Sequence, residues 1–199
     1  MTRTVPRSSR LLASMAMVLT VATGCGGSSS DGPPVLPIGG DFVLTDHSGQ
    51  RFESTSLRGK VVLVFFGYSF CPDFCPTTLS KLAAVTRRLG DAAPGIKTLY
   101  ITVDPERDTP AVLKDDLANF KLDALGLTGS RAALDSVVNR FGARYEIVPT
   151  PESVAKYTVS HTTSVYVLDR RGRVRFELPY ESSVEEILMS VSTLLKERP

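Results

Sequence analysis

Two cysteines, Cys71 and Cys75, are the residues of this chain best suited to metal binding or redox chemistry. They lie in residues 67–76 (GYSFCPDFCP), where a strand-like apolar run gives way to a predicted helix. Ligands bind at the carboxyl ends of such strands, and helix N-terminal amides stabilise thiolates. Positions i and i+4 share a helical face with Cβ atoms about 5–6 Å apart, so both sulfurs reach one ion. The spacing favours a metal site and leaves redox chemistry open, because a disulfide needs Cβ atoms about 3.8 Å apart and hence an adjusted turn.

The elements that must position these cysteines follow an α/β order. Residues 60–68 and 97–103 are predicted to be strands, and the first is a continuous apolar run of the kind buried on both faces of a sheet. The other predicted elements are helices at 76–89, 110–120, 131–141 and 183–196 and hairpins at 41–52 and 164–178. This order predicts a thioredoxin-like α/β fold: a central mixed sheet flanked by helices, with an N-terminal hairpin and an insertion between Thr109 and Thr158.

Two histidines, His47 and His161, are the remaining candidates for a soft metal site. His47 lies in a predicted N-terminal turn, where we expect it to be solvated. His161 immediately precedes the predicted strand at 164–168, and in a thioredoxin-like layout its loop faces the cysteine loop. Two thiolates and one imidazole suit copper, because soft sulfur holds Cu(I) and the mixed set still accepts Cu(II). A structural zinc site usually has four ligands. With Cys25 predicted to carry a lipid and His47 predicted to be solvated, no fourth Cys or His is available.

The first 40 residues have the composition of a secretory leader followed by a linker. Three arginines precede an apolar run at 11–22, which ends in small residues and is shorter than the roughly twenty residues that span a bilayer. Residues 22–25 (ATGC) resemble a bacterial lipobox, in which the cysteine becomes the lipid-modified first residue. We therefore predict a lipoprotein signal peptide at 1–24, a lipid-anchored flexible linker at 25–40 and one domain at 41–199. Lipid on Cys25 would hold that domain at the extracytoplasmic face of the cell membrane.

The distribution of charge excludes one class of function. Three of the 23 basic residues and none of the 21 acidic residues precede Cys25, so the chain after the leader carries 20 basic against 21 acidic side chains. A protein that binds nucleic acid by neutralising phosphates needs a basic excess. We therefore expect no nucleic-acid partner.

Three motifs together resemble those of a known family. Residues 67–79 (GYSFCPDFCPTTL) are similar to the signature of the Sco/SenC family, the copper proteins of cytochrome c oxidase assembly. Residues 103–110 (VDPERDTP) resemble its second motif, and His161 shortly before 166–169 (YVLD) resembles the third. The resemblance implies a thioredoxin-like fold that binds one copper ion through Cys71, Cys75 and His161. It also implies a partner, either the copper-site subunit of cytochrome c oxidase or another copper chaperone.

Two functions remain open at this point. The first is a membrane-tethered, monomeric metallochaperone that delivers copper to the dinuclear copper site of cytochrome c oxidase or prepares its thiols, and a thiol–disulfide reductase activity stays open for it. The alternative is a thiol–disulfide oxidoreductase in which Cys71 and Cys75 cycle between dithiol and disulfide. Such enzymes usually carry Cys-x-x-Cys and a facing proline, whereas three residues separate these cysteines and the facing loop is Ser160-His161-Thr162.

Overall fold

The computed structural model describes residues 1–2, 4 and 32–197. Cys25, nearly all of the predicted signal peptide and the first part of the predicted linker lie outside the described residues. Gly32–Pro199 form a compact unit. Among the residues that the structure describes, no helix combines the length and the apolar character needed to cross a membrane.

A seven-stranded mixed sheet forms the centre of this unit. The strands, in chain order, are β1 (Val43–Asp46), β2 (Arg51–Glu53), β3 (Val61–Gly67), β4 (Ile96–Thr102), β5 (Ala124–Thr128), β6 (Tyr145–Pro149), β7 (Tyr157–His161), β8 (Val165–Leu168) and β9 (Val174–Leu178). The order across the main sheet is β2-β1-β5-β4-β3-β8-β9, and β6 and β7 pair separately. β3 runs parallel to β4 and antiparallel to β8, and all seven of its residues are buried, as its unbroken apolar sequence predicts.

Helices flank the sheet and bury their apolar stripes. They are α1 (Phe74–Leu89), α2 (Pro110–Leu117), α3 (Arg131–Arg140) and α4 (Val184–Lys196). α1 packs against α4, which begins with a capping box in which the Ser183 and Glu186 side chains each accept from the other's backbone amide. The buried side chains of α4 include Ile187, Val191 and Leu194, which recur at the spacing of an apolar helical stripe. The mixed sheet with flanking helices confirms the predicted fold class.

The segment predicted as an insertion contains a strand of the main sheet. β5 lies between β1 and β4, and its central Gly126 weakens the local strand signal. That glycine lets α2 approach closely, because a Cβ at Gly126 would lie 3.0 Å from both Leu113 Cβ and Leu117 Cδ1. His47 is also not a solvated turn residue: it is half-buried, and its Nδ1 accepts a hydrogen bond from the Gly126 amide at 3.3 Å.

Part of the predicted linker lies against the domain. The Leu36 amide donates to the Val174 carbonyl at 2.9 Å, and the Gly39 amide donates to the Arg140 carbonyl at 2.6 Å. Leu36 and Ile38 pack against the hydrophobic core. Residues 36–39 therefore belong to the folded unit.

Candidate metal centre

Cys71 and Cys75 lie where β3 gives way to α1, and both are free thiols. α1 begins at Phe74, two residues before the predicted start, so Cys75 lies in its first turn and Pro76 occupies a position where a missing N–H is tolerated. The Cys75 amide donates to Cys71 Sγ at 3.4 Å. Cys71 is 8% exposed and Cys75 2% exposed, so both sulfurs lie at a buried end of the sheet.

His161 is the last residue of β7 rather than part of a loop. The hairpin of β6 and β7 places it opposite Tyr145 and carries it to the cysteines. Its Nδ1 lies 2.9 Å from the Thr162 carbonyl, which only accepts hydrogen bonds, so Nδ1 holds the proton. A histidine that carries its proton on Nδ1 can offer the Nε2 lone pair to a metal ion. This Nε2 lies 3.6 Å from Cys75 Sγ.

The two sulfurs and the imidazole form one cluster. Cys71 Sγ, Cys75 Sγ and one His161 ring nitrogen all lie within 4.8 Å of one another. The His161 ring makes edge contacts with Phe65 and Tyr68, with centroids 6.2 and 5.8 Å apart. The structure thus brings together the three residues that the sequence analysis named as ligands. Two thiols and one imidazole are donors that soft metal ions prefer.

Hydrogen bonding shifts the pKa values of the two thiols in opposite directions. A hydrogen bond from the Cys75 thiol, followed by contributions from His161 and the amides of Cys75 and Asp73, lowers the pKa of Cys71 to about 4 against the opposing effect of burial. The same hydrogen bond, together with burial, raises the pKa of Cys75 well above its usual range. Cys71 is therefore a thiolate at neutral pH, and Cys75 retains its proton until a cation displaces it.

Arg107 joins the cysteine loop to the histidine hairpin, a role that the sequence did not reveal. It forms an ion pair with the buried Asp104 and donates to the carbonyls of Ala155 at 3.3 Å and Tyr157 at 3.1 Å. Its guanidinium also lies over aromatic rings, with centroid distances of 3.7 Å to Tyr157, 4.8 Å to Phe70 and 5.5 Å to Tyr68. One side chain thus contacts both segments that supply metal ligands.

Two further polar side chains fix the same segments. Buried Asp108 accepts hydrogen bonds from Ser69 Oγ at 2.5 Å and Thr102 Oγ1 at 2.6 Å, which ties the cysteine loop to the end of β4. Burial raises the pKa of Asp108, against the opposing effect of these hydrogen bonds. Tyr68 OH lies 2.7 Å from Thr158 Oγ1 on β7. Thr109 caps α2, because its hydroxyl accepts a hydrogen bond from the Val112 amide at 3.3 Å, whereas Asp108 is fully buried.

Gly67 is the last residue of β3, and Cys75 Sγ lies in the space that a side chain at Gly67 would need. A Cβ at this position would lie 2.8 Å from Cys75 Sγ and 2.7 Å from Tyr100 Cε2. We expect Gly67→Ala to lower the free energy of unfolding by about 1–3 kcal/mol, because the Tyr100 ring is fully buried and has no room to move. Urea denaturation monitored by circular dichroism measures this change.

Gly95→Ala is the matched control for that substitution. There the added Cβ would meet only Leu195 Cδ2, at 3.0 Å, the tip of a half-buried side chain. Equal unfolding free energies in the two variants would contradict the proposed role of Gly67.

The fold and the cluster together define a thioredoxin-like domain in which two thiols and one imidazole are placed where they could hold one metal ion. A family model described as SCO1/SenC matches residues 31–196. The chain belongs to the SCO1/SenC family, which confirms the resemblance seen in its three motifs.

Individual relatives show the same likeness. A "SCO2-like protein" from Rickettsia felis is 36% identical over 153 residues, which cover 77% of this chain and 75% of that protein. The structure of Bradyrhizobium japonicum ScoI with copper bound is 38% identical with a TM-score of 0.72, and the match covers 79% of this chain and 99% of that one. Yeast Sco1 with copper bound is 30% identical with a TM-score of 0.75, covering 82% and 91%.

Proposed function

We propose that this protein binds one copper ion through Cys71, Cys75 and His161 and delivers it to a copper-site subunit of cytochrome c oxidase. Another copper chaperone is the alternative exchange partner. The observation that carries the proposal is the convergence of three soft-metal donor atoms within 4.8 Å. The copper-bound relatives from B. japonicum and yeast support copper as the metal.

The donor set explains why copper suits this site. Two thiolates satisfy Cu(I), and the neutral imidazole extends the set so that Cu(II) is also accepted. Binding displaces the proton of Cys75, whereas Cys71 is already ionised. Delivery then proceeds by ligand exchange, in which thiolates of the recipient replace those of this protein one at a time. Cys71 is more exposed than Cys75, so exchange begins on the Cys71 side.

We also propose that a lipid on Cys25 holds the protein at the extracytoplasmic face of the membrane. The supporting feature is the sequence pattern of a basic start, an apolar run and a lipobox-like end. An anchor there would keep the metal site near a membrane-embedded oxidase.

Competition titration with Cu(I) tests the metal site directly. The fully reduced, purified protein is titrated without oxygen against a Cu(I) chelator, beside His161→Ala. We expect one copper per chain in the unaltered protein and an affinity at least about 10-fold lower in the variant, because a ligand contributes no less than its supporting residues.

His47→Ala is the control, because it removes the only other histidine of the chain. This variant should bind copper as tightly as the unaltered protein. Unchanged affinity in a folded His161→Ala variant would overturn the three-ligand site.

Thiol–disulfide exchange is the second candidate, and the Cys71 thiolate beside the Cys75 thiol favours it. In this reaction Cys71 attacks a disulfide sulfur of the partner, and Cys75 then resolves the mixed disulfide. The partner takes up two electrons from the cysteine pair, one proton from Cys75 and one from solvent, and becomes a dithiol, while a new Cys71–Cys75 disulfide forms in this protein. Reduction of a partner disulfide at a rate insensitive to His161→Ala, together with weak copper binding, would favour this candidate over copper delivery.

A further inference from the structure

The hydroxyl of Tyr100 is buried beside the cysteines, and the site as described gives it no role. Tyr100 lies on β4, its side chain is fully buried, and its hydroxyl makes no hydrogen bond of good geometry among the described residues, although it interacts with the Cys75 thiol. A buried hydroxyl without a partner is costly and requires an explanation. Burial raises the pKa of Tyr100 well above its usual range, so the group keeps its proton and remains a donor.

The position of Gly67 shows which group the hydroxyl faces. The point where a Gly67 Cβ would stand lies 2.9 Å from the Tyr100 hydroxyl oxygen and 2.8 Å from Cys75 Sγ. The absence of a side chain at Gly67 therefore leaves these two atoms facing a common space. Asp108, the nearby carboxylate, has its oxygens engaged by Ser69 and Thr102.

Coordination of a metal ion makes a cysteine sulfur a better hydrogen-bond acceptor. A thiol is a weak acceptor, whereas a metal-bound cysteine is a thiolate, which accepts hydrogen bonds much more strongly. The Tyr100 hydroxyl, which faces the same space as Cys75 Sγ, would then have a strong acceptor without any change in the fold.

We propose that Tyr100 is a positioning residue that donates an O–H···S hydrogen bond to the Cys75 thiolate when copper is bound. The inference rests on the proposed copper site. Since a metal-bound thiolate is a stronger acceptor than a thiol, the hydrogen bond stabilises the copper-bound state and raises copper affinity. It also withdraws electron density from the sulfur, which favours Cu(I) over Cu(II) and raises the reduction potential of the bound copper.

Tyr100→Phe tests the proposal because it removes the hydroxyl and keeps the ring. We expect Cu(I) affinity to fall by about 10-fold, the effect typical of residues that support a metal ligand. We also expect the sulfur-to-Cu(II) charge-transfer band to move to longer wavelength and the reduction potential to fall. The stability of the metal-free variant should be unchanged or higher, because an unpartnered buried hydroxyl is lost.

Tyr166→Phe is the matched control. Tyr166, on β8, is also fully buried, but its hydroxyl interacts with Glu177 rather than with a cysteine, and its ring contacts Phe66 and Phe141. The copper affinity and absorption spectrum of the Tyr166→Phe variant should match those of the unaltered protein.

The outcomes separate this inference from the function on which it rests. If the unaltered protein binds copper and Tyr100→Phe has the same affinity and spectrum, the Tyr100 inference is overturned. A loss of affinity with an unchanged spectrum also overturns it, because such a loss would reflect packing and not a bond to sulfur. Failure of the unaltered protein to bind copper would overturn the proposed function instead.

Discussion

Replacing Cys75 by serine is expected to abolish tight copper binding, with Cu(I) affinity at least about 10³-fold lower, which corresponds to about 4 kcal/mol. The reason is chemical softness, because a serine hydroxyl is a hard, neutral donor that binds Cu(I) poorly. The remaining Cys71 thiolate and His161 imidazole supply only part of the donor set. Anaerobic competition against a Cu(I) chelator measures the change, and Cys71→Ser should show a loss of the same order.

Cys25→Ser, compared in protein produced without lipid modification, controls for the general effect of removing a thiol. It makes the same chemical change at the third cysteine of the chain and leaves Cys71, Cys75 and His161 intact. We expect it to bind one copper with unaltered affinity. If Cys75→Ser and Cys71→Ser each held one copper as tightly as this control, the two cysteines would not form a common site.

The parts of the fold that could be predicted from the sequence are those with local signals. β3 is a run of seven buried residues, and its apolar sequence was sufficient to locate it. α4 combines a helical apolar period with a capping residue, Ser183, so both its identity and its start could be predicted. The cysteine pair also has a local signal, because both cysteines lie where an apolar strand gives way to a helix. Cys71 precedes α1, however, so the shared helical face expected from the four-residue spacing does not explain how the two sulfurs meet.

The elements that were missed depend on partners distant in the sequence. β5 is a five-residue strand that contains a glycine, and its place in the sheet depends on pairing with β1 and β4. β6 and β7 pair only with each other and leave β6 largely exposed, so they lack the apolar alternation of a half-buried strand. Missing this hairpin is why His161 was placed in a loop, although its proximity to the cysteines was expected.

The supporting residues of the site could not be identified from local patterns. Tyr100 lies in an apolar strand and resembles an ordinary core residue, and the sequence does not show that its hydroxyl lacks a partner. Arg107 resembles a solvated residue before a helix, yet its partners Ala155 and Tyr157 lie 48 and 50 residues away in the sequence. Such contacts are set by tertiary packing and not by spacing.

Among the residues that support the site, Arg107 has the largest expected effect on the stability of the protein. Asp104 is fully buried, and its carboxylate is paired with Arg107 and accepts a hydrogen bond from Tyr157 OH at 2.8 Å. Arg107→Ala would leave that charge buried with only the tyrosine hydroxyl. Removing one partner of a buried ion pair typically costs about 3–5 kcal/mol. Thermal unfolding should therefore show a melting temperature lower by roughly 6–20 °C for a chain of this size.

The double variant Asp104→Asn/Arg107→Ala identifies the cause of that loss. Since no unpaired charge remains, we expect it to be more stable than Arg107→Ala alone, although it still lacks the hydrogen bonds to the Ala155 and Tyr157 carbonyls. Arg51→Ala is the control, because Arg51 pairs with Glu53 at an exposed site, where such pairs contribute about 0–1 kcal/mol.

A double variant less stable than Arg107→Ala would mean that the buried charge is not the source of the loss. The double variant removes the effect of the unpaired buried charge. If its copper affinity is still lower than that of the unaltered protein, the difference measures the other function of Arg107. That function is to hold the hairpin bearing His161 against the loop bearing the cysteines, and the deficit should persist because both carbonyl contacts remain absent.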